Sequence, residues 1–347
     1  MSRKIRQTKD NNIVIVCEGS ETEAPYFEDL KREIEAYYPE RFSKIRIVPV
    51  NEEKVRQSKK RAYRSLQTLD YSYWVQIEEN QDLYEEYKAQ PLRYVRETQL
   101  FMEKEGYVEG WAVFDHDNFP KRKEAFDLAK NVENLHIAFS SISFEEWLLA
   151  HFERNPKAFL RSQCKDKDGH PIDCENSTPH GCHGLECLAS YIRLRDYIEK
   201  YDKEGSGLFV SLKERLEIAM INAAWLRYLD NSPIYERNPY TDVDRLVSRL
   251  LEINKEYVWV RLGEEFKYNG ATIWVEKDND VVKINSKTAC VILKENLIST
   301  DLSGNESLLL KKNLMLLNGA SDWFSMTNPF LRLNSGNKSF FVDLERF

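Results

Sequence analysis

Three apolar runs, each too short for a helix and each followed by a polar break and an amphipathic stretch, set the strongest limit on how this chain can fold. Asn12–Cys17 reads NIVIVC, Trp111–Phe114 reads WAVF and Leu135–Ser140 reads LHIAFS. Runs this continuous suit strands covered on both faces, as in a parallel sheet, rather than strands with one wet face. The stretch Glu21–Tyr37 brings Tyr26, Phe27, Leu30 and Ile34 toward one side of a helix, and Ala24-Pro25 suits its first turn. Lys44–Val50 alternates like a second strand, while Leu92–Lys104, Lys121–Asn131 and Phe144–Phe152 carry helical patterns. Strand and helix in this alternation predict an α/β fold, a doubly wound parallel sheet.

The remainder of the chain hangs on that core. Residues 51–92 are polar and charged and read as a helical insertion into a first domain of residues 1–160. Residues 161–255 form a second region. It opens with an irregular stretch, Gln163–Cys187, and continues with helices at Leu188–Lys200, Ser211–Tyr228 and Arg245–Leu251. From 256 to 347, short apolar runs punctuated by Asn-Gly, Asp-Asn-Asp and Ser-Gly predict a β-rich C-terminal region. With 42% apolar and 12% aromatic residues among 347, the chain can bury a sizeable core. No window approaches eighteen consecutive apolar residues, so a membrane-spanning helix is not expected. The basic start, MSRKIRQTKD, leads straight into a strand pattern without a signal-peptide core, and the expected compartment is the cytoplasm. A net charge of −7 argues against a surface coated with basic patches for indiscriminate nucleic-acid binding.

Carboxylates occupy the positions that matter in such a sheet. Glu18 directly follows the first apolar run, and Asp115-His116-Asp117 ends WAVF. Ligands of open α/β sheets bind beyond the carboxyl ends of the strands. An Asp-x-Asp pair on extended backbone points both side chains the same way, and two close anions call for a cation. Magnesium, which takes one or two carboxylates and completes its octahedron with water and phosphate oxygen, fits Asp115 and Asp117, with Glu18 as a further ligand or proton carrier. The plainer reading of each acid is a helix cap or a solvated turn; their joint placement after hydrophobic strands favours the metal. Glu145 and Glu146 begin the FEEWLLAHF helix, where acids also complement the helix dipole. Glu23 reads as a first-turn acid, solvated or joining Glu18.

Two further clusters bear on chemistry. Cys164, Cys174, Cys182 and Cys187, with His170, His180 and His183, crowd into one irregular stretch. Tetrahedral zinc uses such ligands to staple a segment that has little core of its own, although no CxxC pair is present. A structural zinc on the four cysteines, or on three with one histidine, is the expectation; coincidental buried thiols are the alternative. Lys54, Lys59, Lys60, Arg61 and Arg64 form the densest basic run, able to meet nucleic-acid phosphates or simply to be a solvated face.

The segments CEGSETEAPYF, WAVFDHDNF, IAFSSISFEEWLLAHFE and NPYTDVDRLVSRL, in this order over about residues 10–255, resemble the motifs of RloB-like proteins, a branch of the Toprim superfamily. The resemblance implies a Toprim-like, Rossmann-like core and assigns roles position by position. Glu18 is similar to the Toprim glutamate, Asp115 and Asp117 to its metal-binding aspartates, and Glu145 and His151 to the carboxylate and histidine of the family's FExW helix. Two positions depart from the common pattern: Ser141-Ile142-Ser143 stands where Ser-Asn-Pro is frequent, and His116 where arginine is frequent. The resemblance further implies a magnesium- or manganese-dependent endonuclease acting on RNA, tRNA included, or on DNA. Its context would be anti-phage abortive infection, beside an ABC-type or SMC-like ATPase partner; the oligomeric state stays open, a homo-oligomer being one option. Two other readings compete with it. One is a non-catalytic, metal-stabilised binding subunit of an ATPase-containing defence complex; the other is a nucleotidyl transferase.

Overall fold

The computed structural model describes residues 11–19, 22–48, 90–116, 121–165, 172, 174, 186–198, 207–278, 281–287, 290–292, 297–300, 306–310, 315–317, 323–325 and 330–344. The expected helical insertion lies almost wholly outside them. The chain divides into two compact units.

The first unit comprises 1–148, 157–214 and 232–251 and is built on a five-stranded sheet. Its strands are β1 (Asn12–Cys17), β2 (Lys44–Val48), β3 (Glu109–Asp115), β4 (Leu135–Ser141) and β5 (Tyr240–Thr241), in spatial order β2-β1-β3-β4-β5. The first four pair in parallel, and β5 closes the β4 edge antiparallel. Helices α1 (Glu23–Tyr37), α2 (Leu92–Glu105), α3 (Arg122–Asn131) and α4 (Glu145–Ala150) follow or precede these strands in the expected alternation. The chain is therefore a mixed α/β protein with a parallel-dominated sheet.

Burial explains why the strand runs are so uniformly apolar. Val14 and Val16 of β1 and Ala112 and Phe114 of β3 pack with Val95 of α2 and with Ala125 and Ala129 of α3. The alternate residues Ile13 and Ile15 point to the opposite face and are just as fully enclosed. Gly110 is needed where α2 lies on β3, since a Cβ there would come within 2.5 Å of Thr98 Cγ2 and 2.6 Å of Met102 Sδ. At the start of the sheet, Glu109 accepts hydrogen bonds from Trp111 Nε1 at 2.8 Å and Arg249 Nε at 2.9 Å.

Helix α5 (Leu188–Leu194) ends earlier than the apolar pattern indicated, and the expected helix over Ser211–Tyr228 is two helices. These are α6 (Leu208–Leu212) and α7 (Leu216–Leu229), separated by the 3-10 turn Lys213–Arg215. Helix α8 (Val243–Leu251) buries Val243, Leu246, Val247 and Leu250. β5 was not expected, because two residues carry no readable period. Its formation depends on Asp242: Oδ1 accepts from the Phe139 amide at 2.7 Å, and the Asp242 amide donates to the Phe139 carbonyl at 3.1 Å.

The second unit contains 149–156, 215–231 and 252–347 and is rich in β-structure, as the turn signals indicated. One sheet joins Glu306–Leu310, Leu297–Thr300, Phe330–Ser335, Lys338–Asp343 and Glu256–Arg261 in that order. A second joins Trp323–Ser325, Val281–Ser286, Ala271–Asp278 and Phe266–Tyr268. Ile273, Val275, Val282 and Ile284 of one share a core with Leu331, Leu333, Phe340 and Val342 of the other. Helix α7 belongs here, placing Ala224, Trp225 and Leu226 among Trp259, Phe330 and Phe341. Among the described residues, no helix is long and apolar enough to cross a membrane.

Candidate functional site

The spatial order of the sheet has one topological switch. From β1 the chain moves outward to β2, then returns to β3 on the other side of β1. The carboxyl ends of β1 and β3 therefore lie at the switch point of the sheet, the usual ligand position in such folds. Glu18 and Asp115 stand at those two ends.

They are 97 residues apart in sequence and adjacent in space. Parallel pairing aligns Cys17 with Val113, and the Glu18 amide donates to the Val113 carbonyl at 2.8 Å. Beyond the last pair, the Asp115 amide donates to Glu18 Oε2 at 3.0 Å. That bond fixes the direction of the Glu18 side chain across the β3 end. Both residues are partly exposed, so the carboxylates border solvent rather than the core. Asp117 lies outside the described residues.

A third carboxylate belongs to this neighbourhood. Glu23 opens α1 and is only 6% exposed, which corrects the expectation of a solvated first-turn acid. Its Oε2 lies where a Cβ on Gly19 would come within 2.7 Å, so the absence of a side chain at 19 makes room for it. The electrostatics agree. Burial pushes the Tyr94 phenol of α2 well up, with Glu18 adding to the shift and Glu23 contributing less. Burial likewise raises the Cys17 thiol, followed by the fields of Glu23 and Glu28. The signal for Glu23 in the sequence was its place five residues after Glu18, just where the chain turns from strand into helix.

His116, between the two aspartates, is held neutral near pH 7. Burial, with Arg122 second, lowers its pKa to about 4. Arg122 Nη1 donates to the His116 carbonyl at 2.5 Å, tying the first turn of α3 to the end of β3.

β4 ends beside β3, with Ser140 opposite Asp115 in register. Four residues after that strand, Glu145 starts α4 and is 1% exposed. Ser143 Oγ donates to Glu145 Oε2 at 2.6 Å. The helix is anchored by Trp147, whose Nε1 donates to Tyr26 Oη at 2.9 Å within a cluster of Tyr26, Phe27, Phe144 and Phe209. The FExW pattern thus sets a buried acid on a short helix and a buried tryptophan to pin it. His151 follows α4 directly, is fully buried and falls in the second unit.

Among the described residues, no three carboxylates or imidazoles bring ligand atoms within 4.8 Å of one another; Cys164, Cys174 and Cys187 do. Cys182, His170, His180 and His183 lie outside the described residues, as do Lys54, Lys59, Lys60, Arg61 and Arg64. The donor set at the strand ends suits a hard cation. Oxygen ligands from Glu18 and Asp115 border solvent, which leaves coordination positions for water or phosphate oxygen.

The comparisons with known proteins are consistent with the motif order. A family model described as RloB-like protein matches residues 13–250. No curated protein and no solved structure matches the chain.

Proposed function

The chain belongs to the RloB-like family, and on that premise we propose that its parallel sheet is a Toprim-like core that hydrolyses phosphodiester bonds with a divalent metal. The observation that carries this reading is the meeting of Glu18 and Asp115 across the β1/β3 switch point through the 3.0 Å amide–carboxylate bond. Asp115, Asp117 and Glu18 are the residues that would hold magnesium or manganese, and the bound ion would neutralise phosphate charge and lower the pKa of water. Glu18, aimed by the Asp115 amide, presents a carboxylate that can hold or accept a proton at the end of β1. Glu23 adds negative charge behind it, which strengthens cation attraction and disfavours an unscreened phosphate. Glu145, oriented by Ser143, is the acid that α4 contributes from the neighbouring strand end. His151 is a positioning candidate in the same motif.

The proposed substrate is nucleic acid, RNA ahead of DNA, and the proposed setting is antiviral defence with an ATPase partner that restrains the activity. A second reading, a non-catalytic metal-stabilised subunit, draws support from the same bond, because a carboxylate that caps a strand-end amide is also a structural element.

Glu18→Gln separates the two. The amide oxygen still accepts from Asp115 while the negative charge is lost. Cleavage of RNA and DNA substrates with magnesium should fall by at least about 100-fold, with the thermal midpoint within a degree or two of the parent. Full cleavage by this variant, or by Asp115→Ala with Asp117→Ala, would end the nuclease reading. Absence of cleavage by the parent chain with its ATPase partner present would favour the binding subunit.

A further inference from the structure

Away from the strand ends, three cysteines distant in sequence form a buried cluster of their own. Cys164, Cys174 and Cys187 are each 0% exposed. Cys174 Sγ lies 2.9 Å from Cys187 Sγ, and Cys164 Sγ lies 3.3 Å from Cys187 Sγ, with all three sulfurs within 4.8 Å of one another. The local backbone is built to bring them there. Arg161 bridges Cys187, the Leu188 amide donates to the Arg161 carbonyl at 3.1 Å, and the Ile172 amide donates to the Cys164 carbonyl at 3.0 Å.

The surroundings point to a ligand. Among the described residues, the buried members of this cluster are the three thiols, with Ile172 packed beside them. Three small sulfur groups bury little apolar surface by themselves. A disulfide would use two of them and strand the third. A polar chain also reaches the sulfurs: Arg193 Nη2 donates to Ser190 Oγ at 2.9 Å, and Ser190 Oγ lies 3.1 Å from Cys174 Sγ. With Arg193 directing the serine, its hydroxyl proton is available to a thiolate, the support that outer groups give to a metal-bound sulfur.

We infer that Cys164, Cys174 and Cys187 are thiolate ligands of a structural zinc ion that holds this segment in its fold. A tetrahedral site with legs of about 2.3 Å has edges of about 3.8 Å; the separations of 2.9 and 3.3 Å are shorter, so the three sulfurs already converge on one point and need to spread by less than about 1 Å to take up the ion. Binding replaces three S–H bonds by three Zn–S bonds, releases three protons to solvent and needs no oxidant. This site is independent of the strand-end carboxylates and of any nuclease activity.

The test is metal content and X-ray absorption at the zinc edge on the purified full chain, after dialysis against a weak chelator. One zinc per chain with three or four sulfur neighbours near ~2.3 Å is expected. The Glu18→Gln chain should keep that zinc, whereas Cys174→Ser and Cys187→Ser should lose it. Should those variants fail to fold, cobalt substitution of the parent keeps the question open to measurement, since thiolate-to-cobalt charge-transfer absorption is expected. A metal-free parent chain, zinc bound with fewer than three sulfurs, or a freshly purified parent chain two hydrogens light from a disulfide among these cysteines would each overturn the assignment.

Discussion

Single side chains decide more of this molecule than the length of its elements suggests. Asp242 is the clearest case. It is buried, and its carboxylate takes the place of a strand neighbour for the Phe139 amide while Tyr240 Oη bonds its other oxygen at 3.3 Å. The sequence NPYTD reads as a plain helix start, and Thr241 Oγ1 does accept from the Val243 amide at 3.4 Å. The larger role is closing the edge of the sheet beside β4. Asp242→Ala should cost about 1–3 kcal/mol by leaving a buried amide without its acceptor. Asp242→Asn, which keeps an oxygen there, should recover most of that loss. Urea denaturation of both variants checks the claim, and equal stability of the two would refute it. Glu23 teaches the same lesson from the other side: a first-turn acid looks solvated until the missing side chain at Gly19 is seen to admit its carboxylate.

At the scale of elements, the short helix α4 depends on neighbours. Six residues form too few turns to stand alone, so its hold comes from packing and from the Trp147–Tyr26 hydrogen bond. Tyr26→Phe keeps the ring in its aromatic cluster and removes only the phenol oxygen. The indole N–H then loses that acceptor in a site without water access, at an expected cost of about 1–3 kcal/mol. If α4 positions Glu145, the same variant should also lower cleavage more than a comparably destabilising change in the second unit. A thermal melt and a cleavage assay read the two effects; an unchanged melting point would show that the bond contributes nothing. Local patterning located α4 and its apolar side, and the partner of its tryptophan could be found only from the packing of α1 against it.

For the molecule as a whole, composition marks a change near residue 255, where helices give way to short strands. The compact units divide differently, because Leu149–Pro156 and Arg215–Asn231 pack with the C-terminal strands. Within that unit Trp225 is set against Trp259, and Arg154 lies 3.7 Å over the Phe330 ring. A chain ended at residue 255 would therefore expose the apolar side of α7. It is expected to bind a hydrophobic dye and to aggregate, whereas a soluble, monomeric, dye-silent 1–255 fragment would contradict that packing.

The sequence alone determined the parallel-dominated sheet, the order of its strands and helices, the family, and the positions of Glu18 and Asp115 at strand ends. The elements are written in continuous apolar runs and in helical recurrence every three to four residues, and the family in the ordered motifs around Glu18, Asp115 and Glu145; neither needs knowledge of distant partners. Tertiary structure alone decided that Glu18 meets the Asp115 amide, that Glu23 is enclosed, that Asp242 closes the sheet, and that three of the four suspected cysteines converge. Each of these depends on strand register or on a crossing between segments tens of residues apart, and neither is encoded in any local period.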